Sequence, residues 1–155
     1  MLKLTKKADY GLIALRHLAV HPGARSAKDI ADSYGIPLPL LSKVLQKLTQ
    51  KGLLASEHGT HGGYRLARDA RQITALEVIQ TLDGPIILTS CFTDHGNCQH
   101  TEKCSVREPL RRVHEGIQSL LAGITIADMS PDSALCPQPA LHELTVLSGI
   151  QGNTQ

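Results

Sequence analysis

Aromatic side chains are nearly missing from this chain, whose 155 residues include no Trp, one Phe and three Tyr. A core without large rings has to be assembled from Leu, Ile, Val and Ala, which favours packed helices. Also missing is any run of about 18 apolar residues, the length a membrane-crossing helix needs. The opening Met1-Leu2-Lys3-Leu4-Thr5-Lys6-Lys7 has neither the apolar stretch nor the cleavage site of a secretory signal. The chain therefore reads as cytoplasmic, with no membrane partner. Disulfides are rare in a reducing compartment, so clustered cysteines there are read as ligands or redox sensors before bridges. The length suits one domain with an appendage better than two independent domains.

A net charge of +2 conceals a polarised chain. Residues 1–71 carry seven Lys and five Arg against five acids, a net of +7, whereas residues 72–155 carry four basic and nine acidic residues, a net of −5. The basic half is expected to face a polyanion, with a merely solvated face as the bland alternative.

Periodicity places a first helix after Thr5, with Ala8, Leu12, Ile13, Leu15 and Ala19 on a broad apolar face and an end near His21-Pro22-Gly23. Ser26, with Asp29 three residues on, opens a short second helix that Gly35 closes. A third helix, opened by Pro37 or Pro39, carries Leu41, Val44, Leu45 and Leu48 on one face. Ser42, Lys43, Gln46, Lys47 and Gln50 lie on the other. Two helices joined by so tight a turn, the second amphipathic and basic outward, form a helix-turn-helix pattern.

Leu53-Leu54-Ala55-Ser56 and Tyr64-Arg65-Leu66 then read as paired strands around the tip His58-Gly59-Thr60-His61-Gly62-Gly63. The expected fold is mainly α with a small β-wing, a winged helix-turn-helix followed by a long dimerisation helix. Double-stranded DNA is the expected partner. Ser42 and Lys43 are candidates for base edges and Gln46 and Lys47 for the sugar-phosphate backbone. His58, Thr60, His61, Gly62, Gly63 and Tyr64 are candidate wing contacts, since a glycine-rich tip lets backbone amides approach phosphates. A hairpin that only packs against the domain is the alternative.

After a helix over Ile73–Leu82, stopped by Asp83-Gly84-Pro85, comes the densest chemistry in the chain. Residues 91–104 hold Cys91, Cys98 and Cys104 with His95, His100, Asp94 and Glu102. Soft ligands at this density point to a metal site, and spacing alone does not separate iron-sulfur from zinc. Beyond it, Val106, Leu110, Val113, Ile117, Leu120 and Ile124 make a heptad-like seam, suited to a partner subunit or to the chain's own first helix. A homodimer would carry two recognition helices about one DNA turn apart and read a pseudo-palindromic operator. The expected organisation is a DNA-binding domain over 1–83, a cysteine-rich loop over 84–104, a dimerisation helix with its extension over 105–129, and a disordered tail over 130–155. Cys136 in that tail reads as a free thiol.

The chain resembles the IscR/NsrR (Rrf-type) family of bacterial winged-helix regulators, which sense iron-sulfur cluster status, nitric oxide or redox state. The resemblance is carried by Leu4-Thr5-Lys6-Lys7-Ala8-Asp9-Tyr10-Gly11, His61-Gly62-Gly63-Tyr64-Arg65-Leu66-Ala67-Arg68, Ile73-Thr74-Ala75-Leu76-Glu77-Val78-Ile79, the cysteine stretch and Thr125-Ile126-Ala127-Asp128-Met129. The opening and Cys104-Ser105-Val106-Arg107-Glu108-Pro109 look closest to the branch that regulates SUF-type cluster assembly.

This resemblance implies that Cys91, Cys98 and Cys104 hold an iron-sulfur cluster, 2Fe-2S or 4Fe-4S. Some members supply a histidine three residues after the last cysteine. Arg107 stands there and cannot ligate. Others use an acid early in the first helix of the partner subunit, the position of Asp9, whose simpler role is to stabilise that helix. His95, His100 and His114 are reserve ligands. Many members carry Arg just before the first wing glycine, where His58 stands, which argues against strong minor-groove readout. The function implied is a DNA-binding repressor sensing cluster or redox status. The alternatives are a regulator with structural zinc or a bare thiol switch, and a thiol-disulfide enzyme, for which the Cys-x-x-Cys spacing is missing.

Overall fold

The computed structural model describes residues 3–59, 62–89, 92 and 104–129. Helix α1 (Lys6–Val20) begins where the Thr5 hydroxyl accepts from the amides of Lys7 and Ala8, at 3.2 and 3.4 Å. Thr5 is held in turn by Asp83, whose carboxylate accepts from the Thr5 amide at 3.2 Å and from its hydroxyl. Helix α2 (Ala27–Tyr34) carries a complete capping box. The Ser26 hydroxyl accepts from the Asp29 amide, and the Asp29 carboxylate accepts from the Ser26 amide. Those bonds hold the Asp29 carboxyl below the usual carboxylate range. Gly35, at φ 62°, supplies the left-handed step, and Ile36 returns its amide to the Ala31 carbonyl. Helix α3 (Leu38–Gln50) starts without a side-chain cap, with Pro39 in its first turn where a missing N–H costs nothing.

The wing pairs β1 (Leu54–Glu57) antiparallel to β2 (Gly63–Leu66), with Leu54 opposite Leu66 and Glu57 opposite Gly63. A third position joins on the far side of β2. Arg25 and Tyr64 exchange both backbone bonds, at 3.0 and 2.8 Å, so the loop before α2 acts as an extra rung that the sequence reading did not anticipate.

Helix α4 (Ala75–Asp83) is capped by Thr74. Helix α5 (Arg107–Gly123) follows the cysteine stretch. Beyond α5 the chain returns to the domain. Ala75 donates to the Ile124 carbonyl and Ile126 to the Ile73 carbonyl, at 2.8 and 2.9 Å, and Arg16 Nε reaches the Met129 carbonyl at 2.8 Å. Ile126 is fully buried with Leu15, Ile30, Leu41, Leu45 and Ile73 in the main core. Side chains of this size contribute about 1.5–3 kcal/mol each when removed from water.

The mainly helical winged helix-turn-helix expected from composition and periodicity is the fold that forms. The expected tail over 130–155, with Cys136, lies outside the described residues.

Candidate nucleic-acid interface and cysteine site

The face of α3 opposite its buried Leu41, Val44, Leu45 and Leu48 is the surface available to a polyanion. Lys43 and Gln46 are exposed there and Ser42 is half-buried. Lys47 is exposed as well, but its ammonium is engaged: Nζ donates to the Leu82 carbonyl in the last turn of α4, at 2.9 Å. Lys7, at the start of α1, joins Lys43 and Lys47 around a cavity of about 120 Å³. The sequence reading passed over Lys7. The available signal was its place in the first turn of a helix, where the macrodipole disfavours a cation.

On the wing, His58 is exposed. Gly62 and Gly63 have a steric role that their expected contact with phosphate does not explain. A Cβ on Gly63 would stand 2.3 Å from the Arg25 carbonyl oxygen, and one on Gly62 would stand 2.5 Å from that of Glu57. Tyr64 is half-buried and packs on the core, and Arg65 is paired across the hairpin with Glu57. Thr60 and His61 lie outside the described residues. Arg25, also unremarked in the sequence, has a buried Nε without a hydrogen-bond partner at the root of the wing.

Of the four candidate cluster ligands, Cys91 and Cys98 lie outside the described residues, as do the reserves His95 and His100. Cys104 is a free, half-buried thiol three residues before α5. Asp9 is exposed in the first turn of α1. Among the described residues no three metal-ligating side chains converge. His114 on α5 packs against Phe92 in a tilted arrangement with ring centroids 5.2 Å apart, and its buried Nδ1 has no partner among the described residues while Nε2 sits 3.1 Å from the Gln118 amide nitrogen.

The seam of α5 is not covered by α1. Val106, Val113 and Leu120 are 56, 52 and 59% exposed, and no residue of the helix is buried. Only Leu121, beside the seam, packs on the small cluster of Ala8, Ile79 and Ile86. An apolar hollow of about 560 Å³, lined by Leu4, Ile79, Ile86, Ile87, Ile117 and Leu120 among others, opens next to it. Arg111 holds Glu108 from one turn away, joined by Arg112, and brings the Glu108 carboxyl down to about 2. No described helix is long and apolar enough to cross a membrane.

Residues 4–132 match the Rrf2 family, described as an iron-dependent transcriptional regulator. Protein rrf2 of Nitratidesulfovibrio vulgaris is 31% identical over 143 residues, covering 91% of this chain and 95% of that protein. The HTH-type transcriptional regulator IscR of Yersinia enterocolitica is 34% identical over 130 residues, covering 83% of this chain and 79% of the relative. Among solved structures, CymR, the global cysteine regulator of B. subtilis, superposes with a TM-score of 0.69 at 31% identity, covering 83% of this chain and 95% of that one. With the wing, the helix-turn-helix and most of the length of both partners accounted for, the chain belongs to the Rrf2 family of DNA-binding transcriptional regulators.

Proposed function

We propose that this regulator is a cytoplasmic homodimer that represses SUF-type iron-sulfur assembly genes and reads iron-sulfur cluster status through Cys91, Cys98, Cys104 and Asp9. The observation that carries this reading is Cys104, a free and half-buried thiol at the foot of α5, the helix whose seam exposes Val106, Val113 and Leu120. Thiolates are the ordinary ligands of iron-sulfur clusters, and the exposed Asp9 carboxylate is available across a dimer interface. The unpartnered His114 Nδ1 keeps a nitrogen donor in reserve. The gaps between the cysteines, six residues and five, suit a loop that wraps one group.

When bound, the cluster supplies a tie that oxidation breaks. The protein's own share is to hold that tie between α1 of one subunit and the cysteine segment of the other, with a carboxylate easier to displace than a fourth thiolate. Asp9 and the recognition helix α3 both belong to the domain built on α1. A shift of α1 therefore changes the spacing of two recognition helices, about one DNA turn apart on a pseudo-palindromic operator. Ser42, Lys43, Gln46 and the wing residues His58, Thr60, His61, Gly62, Gly63 and Tyr64 make up the DNA-facing set on this reading. Lys47 belongs to the same face.

The likeness to a cysteine regulator favours a second reading, in which the thiols act without a cluster, as a bare redox switch or around zinc. Anaerobic purification separates the two. The cluster reading expects brown protein with visible absorbance and a native mass of a dimer carrying iron and sulfide, with operator affinity that changes on chelation. Colourless protein with zinc or with bare thiols, or equal affinity before and after chelation, would sink it.

A further inference from the structure

Lys7, Lys43 and Lys47 surround the small cavity between α1, α3 and α4, with Leu40, Val44 and Leu82 completing its wall. Like charges gathered in one place repel unless something else offsets them. Among the described residues neither Lys7 nor Lys43 is paired with a carboxylate. Lys7 stands in the first turn of α1 with Lys6 beside it and Lys3 before it, against the preference of the helix dipole. Folding gains nothing from that arrangement, but a bound polyanion would.

Lys47 differs. Its ammonium donates to the Leu82 carbonyl, one of the last-turn carbonyls of α4 that lack a helical partner, where a cation is favoured. Lys43 and Lys47 are one turn apart on the outer face of α3, where the sequence suggests a base-edge contact for Lys43 and a backbone contact for Lys47, yet Lys47 is the one committed to the fold.

We propose a division of labour: Lys7 and Lys43 contact the DNA sugar-phosphate backbone where it passes between the start of α1 and α3, and Lys47 is a positioning residue that seats α3 on the end of α4. The inference rests on the DNA binding of the family and adds a contact from outside the helix-turn-helix unit.

The test uses the full-length protein and a duplex enriched by the wild type from a random-sequence library, with affinity measured between about 50 and 200 mM salt. Each lysine is replaced by Met, which keeps the apolar stem and removes the charge. Lys7→Met and Lys43→Met are each expected to reduce the steepness of log K against log salt by about 0.9 and to weaken binding to unrelated duplexes in parallel. Lys47→Met is expected to leave the slope unchanged while lowering affinity and melting temperature, and Lys47→Arg, which keeps a donor for the carbonyl, restores both. An unchanged slope in Lys7→Met or Lys43→Met, or a loss of about 0.9 in Lys47→Met, overturns the division of labour with DNA binding intact. A wild-type protein that enriches no duplex overturns DNA binding itself, and this inference with it.

Discussion

His17 carries its charge only at the expense of the fold. It is buried on α1, its Nδ1 lies 3.2 Å from the Tyr34 hydroxyl, and its ring stacks on His21 at 4.2 Å. Burial lowers its pKa most, His21 and Arg25 lower it further, and Asp29 opposes them. The folded value therefore sits below the unfolded value of about 6.5, so the unfolded chain binds the extra proton first. The stability linked to His17 is complete above the unfolded value and is lost as pH falls through it toward the lower folded value. The melting temperature should drop as pH falls below about 6.5, and His17→Gln should flatten that part of the profile. Gly11 gives a second prediction at this scale. A Cβ there would stand 2.3 Å from Leu82 Cδ1, so in Gly11→Val the buried Leu82 side chain has to turn aside within the packed core between α1 and α4. Urea titration should show a loss of about 1–3 kcal/mol.

Among the elements, those whose signals are local were legible in advance. Thr5, Ser26 with Asp29, and Gly35 announce helix ends through residues a few positions away and cap as expected, whereas Thr74, expected inside a helix over Ile73–Leu82, is the cap of α4. The glycine-rich tip between two short apolar runs announced the wing. What stayed hidden joins distant residues through backbone groups that leave no mark on residue type: Arg25 with Tyr64 and Ile73 with Ile126 by backbone bonds, and the Lys47 ammonium with the Leu82 carbonyl. The candidate site divides similarly. Residue types pointed to the cysteines and the family resemblance to Asp9, and a ligand supplied by a second chain, as in the proposed dimer, would leave no spacing within one sequence. Helix α5 is where this matters most, because Val106, Val113 and Leu120 of its apolar seam are exposed. Val113→Asp should leave the melting temperature of an isolated subunit nearly unchanged, since substitutions at exposed positions usually stay within about 0.5 kcal/mol. In sedimentation it should turn a dimer into a monomer, and an unchanged dimer would place the partner surface elsewhere.

For the molecule as a whole, the charge division has a structural counterpart. The basic half folds into α1, α2, α3 and the wing, the acidic half supplies α4, the cysteine stretch and α5, and residues 124–129 stitch them together, with Ile126 buried in the main core and Arg16 donating to the Met129 carbonyl. Ile126→Ala should therefore cost the DNA-binding unit about 2–5 kcal/mol in denaturant titration, although the residue lies far beyond the wing in sequence. The same stitch sets an order in time. A chain leaving the ribosome at about 5–20 residues per second exposes Ile73 roughly three to ten seconds before Ile126. The DNA-reading unit is then missing a core residue until the whole cysteine stretch has been synthesised. The main core thus closes only once the stretch between Pro85 and Ile126 has been made, and a chain stalled before Ile126 should melt at a lower temperature than the full-length protein.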